Sequence, residues 1–528
     1  MAWAADFKTG LAKQVVTLGY TVDGLAIFDA LGQADTPGGG CGLSTLGRTK
    51  PTSGTWIRGI DPLSVQFSTE AVDLRTCTYS GGEFRFDFVW ESAADRSTFY
   101  DAYTRGTPLV LKAELDFDQP ADGEALRLGV VADITESGRR ITVRCWDLLS
   151  VLHPRIVKST WPVLFGSLDT AGTVIDTTGY TSGDATIYVT DATIFEKDSS
   201  ASYYVAKIVP DTGDPFYVRF TGVNTGVTPH QLTGATGAQY GTTAGTASAG
   251  QAVYAVAAIE GTPFDIALKV LISSGDLSGG DDVLPESWGY GLNTSYCDDA
   301  DMAVWEAVVA PGSGAHAWSW LALGADENGL GTLTAWMARG GMWLVNRQGL
   351  ITARALQNLW GSPQSTGATI TDEDIIALSA SLSPRDPSQP FEAVQVRVTT
   401  DSSSDKYPAM RSDNRTWPLE EYVEADLSAV IFSNETAQQD AYGDRMKLWY
   451  TSVPERIRVR VVGLEWMQYC VGDVVNVTST ALRGFLLNTE DGLNAQPYMI
   501  AAIRWGLPQP WVDFDLVLTP EDTTDERG

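Results

Sequence analysis

The side chains that most often carry chemistry are sparse or scattered in this chain of 528 residues. It has three histidines. His153 precedes Pro154 at an element end, His230 follows Pro229 in a turn-like stretch, and His316 closes the loop-like run Gly312-Ser313-Gly314-Ala315. None has a second His or Cys two to four residues on, so a multi-histidine zinc site would need distant residues to converge. The five cysteines are Cys41, Cys77, Cys145, Cys297 and Cys470, with no Cys-x-x-Cys pair among them. An odd number leaves at least one unpaired within a monomer, and isolated cysteines with apolar flanks are usually small buried hydrophobes. No Gly-x-Ser-x-Gly, His-Glu-x-x-His or Walker loop occurs.

Carboxylates do cluster. Asp281 and Asp282 fall in a Gly-rich loop. Asp298, Asp299 and Asp301 fall at an expected helix start, where carboxylates meet free amides and the positive helix end. Helix caps and solvated loops are the ordinary reading. Calcium is the first alternative, since oxygen-rich loops bind it, but the EF-hand spacing is missing. A glycosidase pair is the second, since any two carboxylates can meet in space, yet nothing singles out a pair. Asn414-Arg415-Thr416 and Asn434-Glu435-Thr436 match the N-glycosylation triplet and are read as chance. The seventeen tryptophans could form a carbohydrate platform, but their scatter through periodic segments fits core or subunit-interface packing better. No residue is assigned a catalytic, cofactor-binding or metal-binding role, and no cofactor is expected.

The length calls for three to five domains. Abundant Gly, Pro, Ser and Thr favour strands and turns over long helices, and 10% aromatic residues argue against disorder. The formal charge of −30 excludes a general nucleic-acid-binding surface, which needs clustered Lys and Arg. The excess acid either solvates the surface or lines a passage that nucleic acid crosses without sticking. Met1 to Leu18 does not read as a signal peptide, and no apolar run reaches membrane-spanning length.

Residues 1–160 read as a β-rich domain. A Gly-rich loop covers Thr36 to Gly42. Strand signals follow at Leu63, Val65 and Phe67, at Phe84, Phe86 and Phe88, and at Leu109, Leu111 and Ala113. The best hairpin joins Leu126–Ile134 to Arg140–Trp146 through Glu136-Ser137-Gly138, and a helical turn is expected from Asp147 to Leu152. Residues 164–256, nearly free of Lys and Arg, read as an inserted small all-β domain or as elaborated surface loops. Residues 257–389 read as a middle α+β domain. Helices are expected at Pro263–Ile272, Asp299–Val308 and Gly329–Met337, a hairpin through Trp343–Val345 and Leu350–Arg354, and a cap at Thr371-Asp372-Glu373. Residues 390–528 begin with a strand at Ala393–Thr399 and an exposed loop at Thr400–Trp417. A helix over Asn434–Trp449 then feeds the strands Arg456–Val461, Val471–Val477, Tyr498–Ile503 and Phe514–Leu518, an antiparallel barrel or sandwich sheet.

The order Asn434–Trp449, Arg456–Val461, Val471-Gly472-Asp473-Val474-Val475-Asn476-Val477 and Tyr498–Ile503 resembles the C-terminal part of tail-tip hub proteins of long non-contractile-tailed bacteriophages. The Gly-Asp turn is its most recognisable part. Leu126–Trp146 resembles the N-terminal hub barrel. Pro263–Ile272, Leu284-Pro285, Gly289-Tyr290-Gly291 and Gly340–Arg354 resemble the middle region. Residues 164–256 depart from the simplest layout.

The resemblance implies a mainly β fold with α+β parts: two tail-tube-like β-barrel domains, a middle α+β domain and the inserted β domain. It also implies a non-enzymatic baseplate hub in the virion, at the tail tip, made in the host cytoplasm. Such a hub would be a homotrimeric ring that joins the tail tube to the tip and lets phage DNA pass without specific binding. The implied partners are the distal tail protein, the tape measure protein and tip fibre proteins, with the host surface as a further contact. A carbohydrate- or receptor-binding tip protein and a cell-wall hydrolase are the competing readings.

Overall fold

A computed structural model describes residues 19–24, 41–45, 55–74, 77–114, 124–147, 149, 172–195, 203–239, 242–243, 245–261, 263–272, 296–309, 318–322, 333–334, 337–338, 341–356, 365–376, 381–383, 393–397, 409–412, 422–426, 430–432, 456–482, 492–506 and 511–519.

Seven strands close an N-terminal barrel. Their order around it is Gly19–Gly24, Cys41–Thr45, Thr55–Phe67, Phe84–Val89, Arg140–Asp147, Glu124–Ser137 and Pro108–Glu114, which pairs back with the first. Neighbours are antiparallel except Cys41–Thr45 and Thr55–Phe67, which run parallel. Period-two patterning fixes the inside. Phe84, Phe86 and Phe88 are buried and stand opposite buried Cys145, Val143 and Ile141. Burying each such phenylalanine stabilises the fold by roughly 1.5–3 kcal/mol. The expected hairpin forms, with Gly138 at φ 63° in its turn.

One local expectation fails here, and one residue of an expected strand turns outward, each for an identifiable reason. Cys41 and Gly42, read as the end of a loop, begin a strand, because parallel pairing with Thr55–Phe67 overrides their weak local preference. Leu63, part of the strand signal with Val65 and Phe67, lies in that strand but is 73% exposed. The Asp61 carboxylate accepts from Leu63 N at 3.0 Å, and Ser64 Oγ donates to Asp61 O at 2.6 Å. The register shifts between Asp61 and Gln66, and this bulge turns Leu63 outward.

The helix Ala93–Ala102 was not read from the sequence, since only Phe99 and Ala102 are buried on it. Its signal was Ser92-x-x-Asp95. Asp95 N donates to Ser92 Oγ and Ser92 N donates to Asp95 Oδ2, a capping box. Phe99 stacks on Phe88 with ring centroids 5.2 Å apart.

The C-terminal sheet runs in the order Ser365–Thr371, Val474–Ser479, Leu493–Trp505, Trp511–Leu518, Arg456–Val462, Ser381–Ser383. Two further strands come from the N-terminal part of the chain. Glu70–Asp73 and Thr78–Ser80 leave the barrel as a hairpin, and Glu70–Asp73 pairs with Leu493–Trp505 through Ala71↔Ala502 and Glu70↔Ile503. The four C-terminal strands expected from sequence are all present, most of them longer than read, and Val471–Gly472 forms the turn before Val474–Ser479. Among the described residues no pairing joins Ser365–Thr371 to Ser381–Ser383, so this sheet is open rather than a second closed barrel. Helix Asn434–Trp449 lies outside the described residues.

Between these sheets, the strands Ala185–Val189, Tyr203–Ile208, Phe216–Phe220 and Ala252–Ala257 appear with small shifts. Ala252–Gly261 runs past the expected boundary at 256 and pairs with Trp318–Ala322, which pairs with Val430–Phe432. The β structure of 164–256 is therefore continuous with strands beyond it. The helices Pro263–Ile272 and Asp299–Val309 and the 342–355 hairpin form as read. The short element at Thr371-Asp372-Glu373 is a turn rather than a helix. Thr371 donates to Asp374 in a tight turn, and Asp372 accepts from Ser479 and Thr480 across the sheet. The loop expected at Thr400–Trp417 contains the strand Ala409–Ser412, which pairs with Ala393–Arg397.

Candidate functional site

The 342–355 hairpin turns through Gln348 and Gly349, both at positive φ, and is buried on both faces. Alternation puts Arg347, Thr352 and Arg354 on one face and Asn346 on the other. Each face meets a different buried charge centre.

On the first face Arg354 is fully buried. Its Nε donates to Asp473 Oδ1 at 2.9 Å, and its Nη1 donates to Asp301 Oδ2 and to Ala353 O. Arg347 Nη1 donates to Asp301 Oδ1 at 2.7 Å, and Thr352 Oγ1 donates to Asp301 Oδ2 at 2.7 Å. Asp473 Oδ2 accepts from Cys470 N at 2.9 Å. The Trp305 ring covers the guanidinium at 4.7 Å. Two cations face two carboxylates, so the centre is neutral. Burial alone would raise Asp301, but Arg354, Thr352 and Arg347 outweigh it and hold its carboxyl below the ordinary range.

The Gly472-Asp473 turn owes its residue types to this centre. Gly472 has φ 100°, and a Cβ there would lie 2.7 Å from the Arg354 Cβ and 2.9 Å from the Trp343 ring. Only glycine allows this backbone to approach so closely.

On the second face, Arg127 Nη2 pairs with Glu70 Oε1 and Nη1 donates to Asn346 O at 2.7 Å. Asn346 Nδ2 donates to Leu128 O at 3.0 Å, and Tyr79 Oη donates to Glu70 Oε2 at 3.1 Å. The Trp505 ring lies 4.2 Å from the Arg127 guanidinium. Asp147, directly across the barrel ladder from Gly129, accepts from Leu149 N at 2.8 Å through Oδ1. Burial pushes Arg127 down to about 10. It pushes Asp147 up to about 6, against the pull of Arg127. Arg127 Nε, Asp147 Oδ2 and Asn346 Oδ1 are buried without a partner among the described residues.

Together the two centres join five parts of the chain: the barrel strands carrying Arg127 and Asp147, the 70–80 hairpin, the helix Asp299–Val309, the 342–355 hairpin and the C-terminal sheet. This arrangement fixes positions; it does not present a group to a substrate. The buried thiols fit that reading. Burial pushes Cys145 well up and Cys297 and Cys470 up to about 12, so all three remain protonated and poorly nucleophilic.

The sequence candidates distribute as follows. Asp298 caps its helix by accepting from Asp301 N at 3.0 Å, Asp299 is exposed, and Asp301 turns inward to the arginines. His230 Nδ1 accepts from Ala192 N at 3.0 Å, a structural role. Cys77, Cys145, Cys297 and Cys470 are buried, as read, and take part in no disulfide. Trp305, Trp343, Trp466 and Trp505 are buried. His153, His316, Asp281, Asp282, Asn414 and Asn434 lie outside the described residues. No group of three or more metal-ligating side chains occurs among the described residues. Arg127, Glu70, Asp147, Asn346 and Arg354 were not singled out in the sequence as buried polar groups. The available signal was a charged or amide residue at a position inside an apolar strand.

The outer face of the C-terminal sheet carries a charge ladder. Arg458 pairs with Asp515 at 3.4 Å and Arg460 with Asp513 at 2.6 Å, and the Trp511 ring lies 3.9 Å from the Arg460 guanidinium. A shallow depression of about 370 Å³ lies over these residues.

No known protein family matches the chain, and no curated protein matches it. Solved structures similar to it include a tail protein from Neisseria meningitidis MC58, at 10% identity and TM-score 0.34, covering 87% of this chain and 97% of that one. A second is the 43 kDa tail protein of prophage MuSo2 from Shewanella oneidensis, at 10% identity and TM-score 0.33, covering 88% and 96%. A third is a chain in the virion of a native gene transfer agent particle, at 12% identity and TM-score 0.20, covering 47% and 83%. Scores this low do not establish a shared fold.

Proposed function

We propose that this chain is a structural protein of a phage tail tip, a baseplate hub that assembles as a homotrimeric ring between the tail tube and the tip. The observation that carries the reading is the stitching of the N-terminal barrel to an open C-terminal sheet. The 70–80 hairpin crosses from one to the other, and the buried Arg127–Glu70 ion pair locks the crossing. A subunit of a load-bearing ring needs such rigidity. An open sheet leaves strand edges that a neighbouring copy can cover, and a closed ring leaves none exposed.

In this reading the distal tail protein, tape measure protein and tip fibre proteins contact the ring, and phage DNA passes through it unbound. Part of the excess acidic charge faces the channel, where carboxylates repel phosphate. The in-chain pairing of Arg458 and Arg460 is consistent with that, since it neutralises the most basic run of the C-terminal sheet. Residues 164–256 contribute a peripheral β unit.

The test is a low-resolution map of the purified protein, alone and with the neighbouring tail proteins. A threefold ring with an open axis is expected. Monodisperse monomers under both conditions would refute the hub. Glycan binding or cell-wall cleavage by the isolated chain would replace it with one of the competing functions.

A further inference from the structure

We infer that the depression on the outer face of the C-terminal sheet is a contact point for a second copy of this chain, and that it takes one carboxylate side chain of that copy between Arg504 and Arg458. This rests on the ring proposed above and names a surface that would close it.

The strand register builds the site. At this level Leu493–Trp505 runs between Glu70–Asp73 and Trp511–Leu518. Arg504 stands opposite Asp513, and Asp513 opposite Arg460. In the next row Ala71 stands opposite Ala502, Ala502 opposite Asp515, and Asp515 opposite Arg458. Residues two apart on a strand share a face, so both rows lie on the outer side, while Val459, Ile503 and Phe514 are buried beneath. Ala502 carries only a methyl group where its neighbours carry long side chains. The depression of about 370 Å³ opens there, and Thr69, Arg504, Arg458 and Asp515 line it.

The charges do not balance. Three guanidinium groups, Arg458, Arg460 and Arg504, meet two carboxylates, Asp513 and Asp515, which leaves one positive charge over. Arg460 takes both oxygens of Asp513, at 2.6 and 2.9 Å, and the Trp511 ring lies 3.9 Å from its guanidinium. Arg504 is left exposed, and its side chain makes no ion pair among the described residues although it stands opposite Asp513. Arg458 contacts Asp515 at 3.4 Å and is 72% exposed. One incoming carboxylate balances the count. A glutamate suits the shape, with its methylenes on Ala502 and the Thr69 hydroxyl as a further donor.

The charge of the whole chain identifies the occupant. It has 66 acidic against 36 basic residues. Two copies therefore repel over most of their surface, and a patch of opposite sign is where repulsion turns to attraction and sets orientation. The same excess makes a carboxylate the group that a second copy most readily offers.

Sedimentation velocity of the full chain, alone and with the neighbouring tail proteins, tests this at low and high salt. Wild type should associate, and more weakly in high salt. Arg504→Glu should weaken the association at least about tenfold, whereas Arg504→Lys should keep most of it. Arg504→Gln should weaken it less and flatten the salt dependence. All three should melt with the wild type, since the Arg504 side chain pairs with nothing among the described residues. A ring that forms equally well in Arg504→Glu would overturn the inference and leave the hub intact. Wild type that stays monomeric under both conditions would overturn the inference and the hub together. If Arg504→Glu keeps the ring but loses a different protein that wild type binds, the depression serves that protein and the second-copy assignment falls. If Arg504→Glu does not fold, Arg504→Gln decides by the same readings.

Discussion

The two faces of one hairpin show how a buried aspartate is set by its company. Asp301 and Asp147 are the same residue type, and both lie against an arginine in the protein interior. Asp301 shares two guanidinium groups and a threonine hydroxyl, and it is held ionised. Asp147 faces one guanidinium that is already committed to Glu70, and burial raises it to about 6. Burial acts on both in the same direction. The number of unclaimed cations decides the outcome.

The strongest way to break this comparison is to unbalance the first centre. Arg354→Met should destabilise the fold by about 3–5 kcal/mol, because it strands Asp473 without a cation in the interior. Urea unfolding measures this, and adding Asp473→Asn should restore much of the loss. A single variant as stable as wild type would show that the pairing is incidental.

Next comes the turn that lets the centre close. Gly472→Ala forces a side chain into positive φ and against Arg354 and Trp343. A loss of about 2–4 kcal/mol is expected from strain and overpacking together, read as a lower melting temperature.

The second centre should give a pH dependence of opposite sign. Burial pushes Asp147 from the ordinary 3.8 up to about 6, so the folded chain holds the proton more tightly than the unfolded chain. Its contribution is fully present below about pH 3.8 and is lost as pH rises through 6. The shift corresponds to roughly 2–3 kcal/mol. Asp301 acts the other way, since its lowered pKa gives stability that is lost on acidification. Asp147→Asn should therefore flatten the decline between pH 4 and pH 6.5 while leaving the acid arm in place. Urea midpoints across that range check both arms.

The smallest effect belongs to the surface ladder. Arg458 is 72% exposed, so Arg458→Ala should change stability by less than about 1 kcal/mol, and less still in high salt. A larger loss would mean that these charges hold the sheet together.

Legibility in the sequence followed the same division. Strands whose apolar residues alternate, such as Phe84–Val89 and Arg456–Val462, were readable because a local period reports burial on one face. The hairpin of residues 342–355 was readable from its turn and its apolar flanks. Glu70–Asp73 was not, because its four residues carry little local signal and are held by Thr78–Ser80 on one side and by Ala502 and Ile503, more than four hundred residues away, on the other. Cys41–Thr45 and Ala409–Ser412 failed for a related reason: their strand character comes from pairing with neighbouring strands rather than from their own residue pattern. Asp301 was seen but placed in the wrong role, since a carboxylate near a helix start normally caps it. Arg127 and Arg354 were missed because an arginine in a strand is usually on the solvent side. Only a partner distant in sequence makes the inside affordable. Gly472-Asp473 is the exception: its motif was visible, while its reason, a close approach to Arg354, required the fold.

The barrel and the open C-terminal sheet behave as one body, stitched by the 70–80 hairpin. Hydrogen exchange through a urea titration tests this directly, with mass spectrometry following peptides that cover residues 84–89 and 456–479. Loss of protection at the same urea concentration in both regions is the predicted result. Barrel peptides that stay protected after the C-terminal sheet has opened, in the wild-type chain, would contradict it.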